Sequence, residues 1–336
     1  MKQRETTIYD IAERLGLAAS TISRGLKGHH TVSQQTQRRI IATAEAMGYR
    51  SNSIAASLRT NSTQTIGVIV PRLDSYLMSQ IIAGMEKVTS EAGYNLLISQ
   101  SREMAANEAR SVQSMLNSRV DALLVSLAEH TDDLAHFEAC RAKGVPLVFF
   151  DRVPADMDQL CITINNEMAG YQATRHLLDQ GARQIMFISG SLRRNVYEQR
   201  LAGYKRALTS AKIKFNPEHI IINDLTEEAG IRAARAVVSQ HADGVVVTND
   251  ICAAACMNEV QRLGRRVPQQ VKFTGFNNDI ISRQVTPALT TINYPGIEMG
   301  EVAARHVLAH LKGNVDISQL ENIVIKSSLI IRESSL

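Results

Sequence analysis

The sequence predicts two parts of different fold class: a small all-α headpiece, then a larger α/β domain built as two similar lobes. Three observations carry this. The first fifty residues show helical spacing punctuated by helix start and stop signals. From residue 65 onward, short apolar runs alternate with longer amphipathic stretches, the pattern of strands and covering helices. That second pattern then runs through twice.

The chain has 336 residues, of which 44% are hydrophobic and 21% charged, so it is long enough for more than one folded core. Tryptophan is absent and aromatics make up 4%, which leaves Leu, Ile, Val, Ala and Met to fill the interior. The net charge of +4 is unevenly placed. Residues 1–63 hold nine of the 37 Lys and Arg against four of the 33 Asp and Glu, a balance of +5. The remaining 28 basic and 29 acidic residues give −1. A compact basic module on a near-neutral body is the electrostatic footprint of a nucleic-acid binder.

In the headpiece, Thr7 to Asp10 reads as a capping box. Ile8, Ile11, Ala12 and Leu15 follow on one helical face, and Gly16 ends the helix. A second helix carries Ile22 and Leu26 inward. It leaves Ala19, Ser20, Thr21, Ser23 and Arg24 on the outer face. A third starts near Ser33 and buries Ile40, Ala44 and Met47. Two short helices across a glycine-bearing turn, plus a third, make a helix-turn-helix. On such a helix Arg24 could read guanine, and the hydroxyls could serve bases or phosphates. His29 and His30 fall in the following loop, suited to phosphate or solvent. Residues 52–59 predict a helix of about two turns with Asn52 as N-cap, too short to be stable alone in water.

Beyond residue 65, the predicted strands are 66–70, 96–99, 122–126, 147–150, 185–189, 220–222, 245–248 and 271–274. Ile66 precedes Ala83-Gly84 by the same interval that separates Ile185 from Ala202-Gly203. Ala92 and Ala211 match at a further common offset, as do Asp121 with Asp243 at strand starts and Asp151 with Asn277 at strand ends. Two related lobes would set the carboxyl ends of two parallel sheets around one cleft, where ligands of such sheets bind. Asp151, Asn249-Asp250 and Asn277 each follow a predicted strand, and Arg200 precedes Gly203. Carboxylates, amides and a guanidinium suit vicinal hydroxyls. Tyr76 and Phe150 are candidates for a surface that stacks on a sugar face.

Several chemistries are not supported. There is no phosphate-cradling glycine loop of either common type and no G-x-S-x-G elbow. Cys140, Cys161, Cys252 and Cys256 form no C-x-x-C pair, which points to buried, reduced thiols. His306 and His310 lie four apart but lack the Glu of an H-E-x-x-H site. The N-terminus begins polar and no apolar run reaches membrane-spanning length, so a cytoplasmic, nucleoid-associated protein with no membrane partner is expected.

The stretches Thr7-Ile8-Tyr9-Asp10-Ile11-Ala12, Leu15-Gly16-Leu17 and Ser20-Thr21-Ile22-Ser23-Arg24 resemble the N-terminal signature of the LacI/GalR family of bacterial transcription regulators. Met47 to Asn52 and Ala55 to Thr60 resemble its hinge. Arg200 to Tyr204, Thr248-Asn249-Asp250, Gly275 to Asn278 and Leu289 to Ile292 resemble its effector-domain landmarks, so the likeness runs along essentially the whole chain. It implies a helix-turn-helix headpiece over 1–50, a hinge over 51–64, and an α/β two-lobed periplasmic-binding-protein-like (type I) effector domain over 65–336. The N-lobe would comprise about 65–162 and 292–322, the C-lobe about 163–291 and 323–336. It implies DNA contacts from Thr7, Tyr9, Ala19, Ser20, Thr21, Ser23 and Arg24, and from Asn52, Ala55 and Leu58 in the hinge. There Leu58 would act as a minor-groove wedge. It implies effector contacts from Tyr76, Asp151, Arg200, Asn249 and Asn277.

Three positions depart from the family pattern. Ala18 stands where Ser or Thr usually caps the second helix, Ser51 where Pro is usual, and Asn277 where Asp is usual. The resulting expectation is a homodimeric repressor of a palindromic operator, controlled by a small molecule of sugar type, with no enzymatic activity, cofactor or metal. A sugar-processing enzyme fused to a DNA module would need a convergent acid–base pair that the sequence does not display. A transport-type solute receptor would not need the basic module.

Overall fold

The computed structural model describes residues 6–26, 28–49, 62–155 and 159–336. Contacts divide the chain after Thr63.

The headpiece holds α1 (Ile8–Leu15), α2 (Ala19–Leu26) and α3 (Gln34–Ala46). The capping box is formed: the Asp10 N–H donates to Thr7 Oγ1 at 3.4 Å, and the Thr7 N–H donates to Asp10 Oδ2 at 2.7 Å. Gly16 ends α1 at φ 64°, in the left-handed region. Ala18 has no hydroxyl to cap α2, but its carbonyl accepts from the N–H groups of Thr21 and Ile22. Ile11, Ile22, Val32, Ile40 and Ala44 form the small core. A Cβ on Gly25 would run into the Ile40 side chain, so glycine lets α2 and α3 approach.

The larger part is two six-stranded sheets. The strands are β1 (Thr65–Val70), β2 (Asn95–Gln100), β3 (Ala122–Val125), β4 (Leu147–Phe150), β5 (Cys161–Ile164), β6 (Ile185–Ser189), β7 (Ile220–Ile222), β8 (Gly244–Val247), β9 (Lys272–Phe276), β10 (Thr290–Asn293), β11 (Ile323–Ile325) and β12 (Ser328–Ile330). The first sheet runs β11-β5-β4-β3-β1-β2 and is wholly parallel. The second runs β12-β10-β9-β8-β6-β7, with β12 alone antiparallel. Central strands β3, β4, β6 and β8 are buried throughout, as parallel strands covered on both faces must be.

The covering helices are α4 (Tyr76–Glu91), α5 (Ala105–Asn117), α6 (Glu138–Ala142), α7 (Asn166–Asp179), α8 (Asn195–Ser210), α9 (Glu227–Ser239), α10 (Asp250–Arg262), α11 (Ile281–Gln284) and α12 (Gly296–Leu311). The repeat read from the sequence has a packing cause. A Cβ on Gly84 would overlap the Ile297 carbonyl, and one on Gly300 the Ile81 carbonyl, so α4 and α12 pack backbone to backbone. Gly203 against Glu167 and Gly170 against Arg200 repeat this between α8 and α7. Each lobe thus has a glycine-mediated helix pair of this kind, and Gly230 against the Cys252 carbonyl adds another, between α9 and α10, in the second.

The chain crosses between the lobes three times, after β5, after β10 and between β11 and β12. The crossings fall two or three residues later than the sequence suggested. β5 extends to Ile164, β10 reaches Asn293 by pairing with β9, and β11 adds to the first sheet beside β5 rather than to the second. These strands are short, and which sheet they join is decided by long-range pairing that local periodicity does not encode. The C-terminal residues return into the second lobe. Ser334 Oγ donates to the Phe273 carbonyl at 2.8 Å, and Ser335 Oγ lies 2.7 Å from His176 Nε2.

Candidate functional site

Two surfaces collect the residues singled out from the sequence. On the headpiece, Ile22 and Gly25 turn α2 inward, leaving Ser20 and Arg24 exposed and Ala19, Thr21 and Ser23 half-buried. Tyr9 is 70% exposed, which is uncommon for a tyrosine without a partner surface. Thr7 differs from these: its hydroxyl is committed to the α1 capping box and to Asp10 Oδ2 at 2.7 Å. The rings of His29 and His30 stack at 4.3 Å beyond α2. Asn52, Ala55 and Leu58 lie outside the described residues.

The second surface is a cleft of about 420 Å³ within the larger part, where the carboxyl ends of both sheets converge. Tyr76, Asp151, Arg200, Asn249 and Asn277 all line it. Phe150 does not. It is fully buried in the core beneath the cleft, because β4 is covered on both faces and its last side chain alternates into that core.

Arg200, on α8, is 3% exposed and anchored on three sides. Its Nε donates to Asn166 Oδ1 and its Nη1 to the Thr248 carbonyl, both at 3.0 Å. Its guanidinium lies 4.3 Å from the Phe276 ring centre. Burial lowers its pKa from the usual arginine value. Nη2 has no protein partner among the described residues and is the nitrogen left for a ligand. Asn249 serves the scaffold and the cleft together: its Oδ1 caps α10 by accepting from the Cys252 N–H at 3.1 Å, leaving the amide Nδ2 to donate.

Asp151 and Asn277 end the corresponding strands β4 and β9, and both backbones are left-handed, with φ 57° and 102°. Their side chains fare differently. Asp151 Oδ1 accepts from the Tyr294 hydroxyl at 2.8 Å and Oδ2 from Ser126 at 3.4 Å. Burial raises its pKa above the ordinary carboxylate value, against the opposing pull of Arg152 and Tyr294. The Asn277 side chain has no hydrogen-bond partner among the described residues.

Sequence reasoning missed several cleft residues, among them Arg152, Glu103, Tyr197 and Asp279. Arg152 donates to Glu103 at 2.7 Å and to the Tyr197 hydroxyl at 3.3 Å, joining the two lobes across the cleft. Tyr197 precedes Arg200 by one helical turn on α8, a spacing that could have revealed it. Asp279 also lines the cleft, beside the fully buried Asp250. Asp250 accepts from Thr291 Oγ1 at 2.7 Å and from the Asp279 N–H at 2.8 Å. Burial and the neighbouring Asp279 push Asp250 well above its ordinary value, and burial pushes Asp279 up to about 7. The four cysteines are buried and unbridged. Among the described residues no group of His, Cys, Asp and Glu is arranged to hold a metal, and no helix is long and apolar enough to cross a membrane.

Both parts of the chain have counterparts among known proteins. Residues 7–52 match the family profile described as bacterial regulatory proteins, lacI family, and residues 174–335 the periplasmic binding protein-like domain. The HTH-type transcriptional repressor PurR of Escherichia coli O139:H28 is 32% identical, over 98% of this chain and 96% of its own. The ribose operon repressor of Haemophilus influenzae is 28% identical over 98% of each. Among solved structures, the Lac repressor dimer bound to operator and the anti-inducer ONPF superposes with a TM-score of 0.89 at 24% identity, over 99% of this chain and all of that one.

Proposed function

The chain belongs to the LacI family of bacterial regulatory proteins, and from that membership we propose that it binds a palindromic operator as a homodimer whose affinity is set by a small, sugar-like effector in the cleft. It is a LacI-family transcriptional repressor and not an enzyme. The observation that carries the finer reading is the convergence of Tyr76, Asp151, Arg200, Asn249 and Asn277 on one cleft between two sheets. Amides and a guanidinium anchored from behind present fixed donors to ligand hydroxyls, and Tyr76 offers a ring edge or face.

On the DNA side, Arg24 and Ser20 are the exposed groups of α2 suited to base edges, with Ala19, Thr21, Ser23 and Tyr9 flanking them. Thr7 acts through the cap that fixes α1. Asn52, Ala55 and Leu58 form the hinge contact, Leu58 as the wedge at the centre of the operator. A helix-turn-helix reads only a few base pairs, so specificity requires two copies on a two-fold site. The larger part offers a surface for that pairing. β2 and β7 are unpaired edges of their sheets, and both carry exposed isoleucines, Ile98 and Ile222. The protein works in the cytoplasm, at the nucleoid.

Effector binding would act by differential affinity for two lobe arrangements. A coupling of about 3 kcal/mol changes operator affinity roughly 150-fold. The test is selection of binding sites from random DNA by the full-length protein at physiological salt. A palindrome with a pyrimidine–purine centre is the expected product. Enrichment of single half-sites would overturn the homodimer, and no enrichment with or without added sugars would overturn the operator reading.

A further inference from the structure

The charge of the cleft narrows the chemistry of its ligand. Eight carboxylates line it against three guanidiniums. Two of the three are already committed, Arg72 to Asp74 and Arg152 to Glu103. Arg200 faces Asp151. Among the described residues, Glu129, Glu227, Glu228 and Asp279 form no ion pair, and Asp224 feels Arg72 only through space. Low-dielectric walls focus such a field, which raises the local concentration of cations and repels anions.

Asp279 turns this general field into a site. It is 4% exposed, and its Oδ1 is buried with no hydrogen-bond partner among the described residues. Its backbone N–H goes to Asp250, whose two carboxylate oxygens are both engaged. A buried carboxylate oxygen that accepts nothing carries a large desolvation cost. A second buried carboxylate beside it raises that cost. A ligand donor bearing positive charge relieves both at once. A divalent metal would need several ligands, and no such group exists among the described residues. An ammonium needs only one carboxylate and neighbouring hydroxyl-binding groups, which Arg200 and Asn249 supply.

We propose that the effector is a cationic polyol of the amino-sugar class, its ammonium held by Asp279 and its hydroxyls by Arg200 Nη2 and Asn249 Nδ2. This rests on the cleft being the effector site. Phosphorylated sugars and sugar acids are disfavoured by the same field.

The test uses the full-length protein and matched sets of neutral hexose, hexosamine, N-acetylhexosamine and hexuronate in the gluco, galacto and manno series, read by calorimetry. In at least one series the hexosamine should bind about ten-fold tighter than the neutral hexose, which is ~1.4 kcal/mol. The N-acetyl form, which keeps the size and loses the charge, should lose that advantage with no change to the protein. Asp279→Asn should erase the ten-fold preference of hexosamine over neutral hexose, and Arg200→Ala should weaken every ligand. Equal or tighter binding of neutral or acidic sugars, abolished by Arg200→Ala, would keep the cleft and overturn the amine. Binding indifferent to Arg200→Ala would overturn the cleft reading itself. A lack of response to all three hexosamines would overturn the proposal.

Discussion

The two lobes end equivalent strands in equivalent backbone geometry and then use it in opposite ways. On the first lobe, Asp151 closes β4 and its carboxylate is consumed by Tyr294 and Ser126. On the second, Asn277 closes β9 with no side-chain partner among the described residues, and Asp279 beyond it keeps a buried oxygen unpartnered. The first rim is finished by the protein's own hydrogen bonds, and the second is left to be finished by something else. Ligand discrimination should therefore sit mainly on the second lobe, while the first supplies a fixed wall.

The largest expected effect tests the anchored group of the second lobe. Arg200→Ala should cost about 100-fold in effector affinity, ~3 kcal/mol, because it removes a preformed charged donor. Operator affinity without effector should stay within a few-fold, as measured by fluorescence anisotropy. If the effector titration does not move, the asymmetry between the rims has no functional meaning.

Next come the helix pairs, where the lobes are alike. Gly84→Ala and Gly203→Ala each push a methyl into a facing carbonyl, and each should destabilise by about 2 kcal/mol in denaturant unfolding. A large cost in one lobe and none in the other would break the structural equivalence on which the comparison stands.

A smaller effect comes from pH. Asp279 in the folded protein is pushed up to about 7 from 3.8. A carboxyl that holds its proton more tightly when folded contributes stability that is full at low pH and lost as pH rises through the folded pKa. Lowering pH from about 8 to about 6 should therefore stabilise the larger domain by about 1.5 kcal/mol. Asp250 shifts in the same direction. Asp279→Asn should flatten most of this slope, and an unchanged slope in that variant would assign the effect elsewhere. The smallest effect concerns the finished rim. Tyr294→Phe removes a buried hydrogen bond to Asp151 and should cost about 1 kcal/mol of stability. It should leave effector affinity nearly unchanged, and a large loss of affinity would show that the first lobe discriminates too.

How much of this was legible in the sequence differs by element. The headpiece helices were readable because caps and apolar spacing are local: Thr7 with Asp10, Gly16, and the inward Ile22 and Ile40. The long buried strands were readable as apolar runs. β5, β10, β11 and β12 were not, since three or four residues that join a sheet at the lobe crossings carry no period of their own. The cleft residues at strand ends were found because ligands of parallel sheets gather there and because the family likeness named them. Phe150 was misplaced because alternation along a strand buried on both faces does not say which core a side chain enters. Asp279 was missed because its meaning lies in a missing partner, which only three-dimensional packing reveals.

One feature of the fold bears on how the molecule comes into being. The first sheet is completed by β11, at residues 323–325, and the second by β12 and the seated Ser334 and Ser335. The headpiece core needs nothing beyond Met47 and Tyr49. During synthesis the headpiece can fold before either lobe is complete, whereas each lobe must wait for a segment close to Leu336. A truncated product would then be a DNA-binding module without a finished sensor, and any fusion placed directly after Ser335 would press on the closing turn of the second lobe.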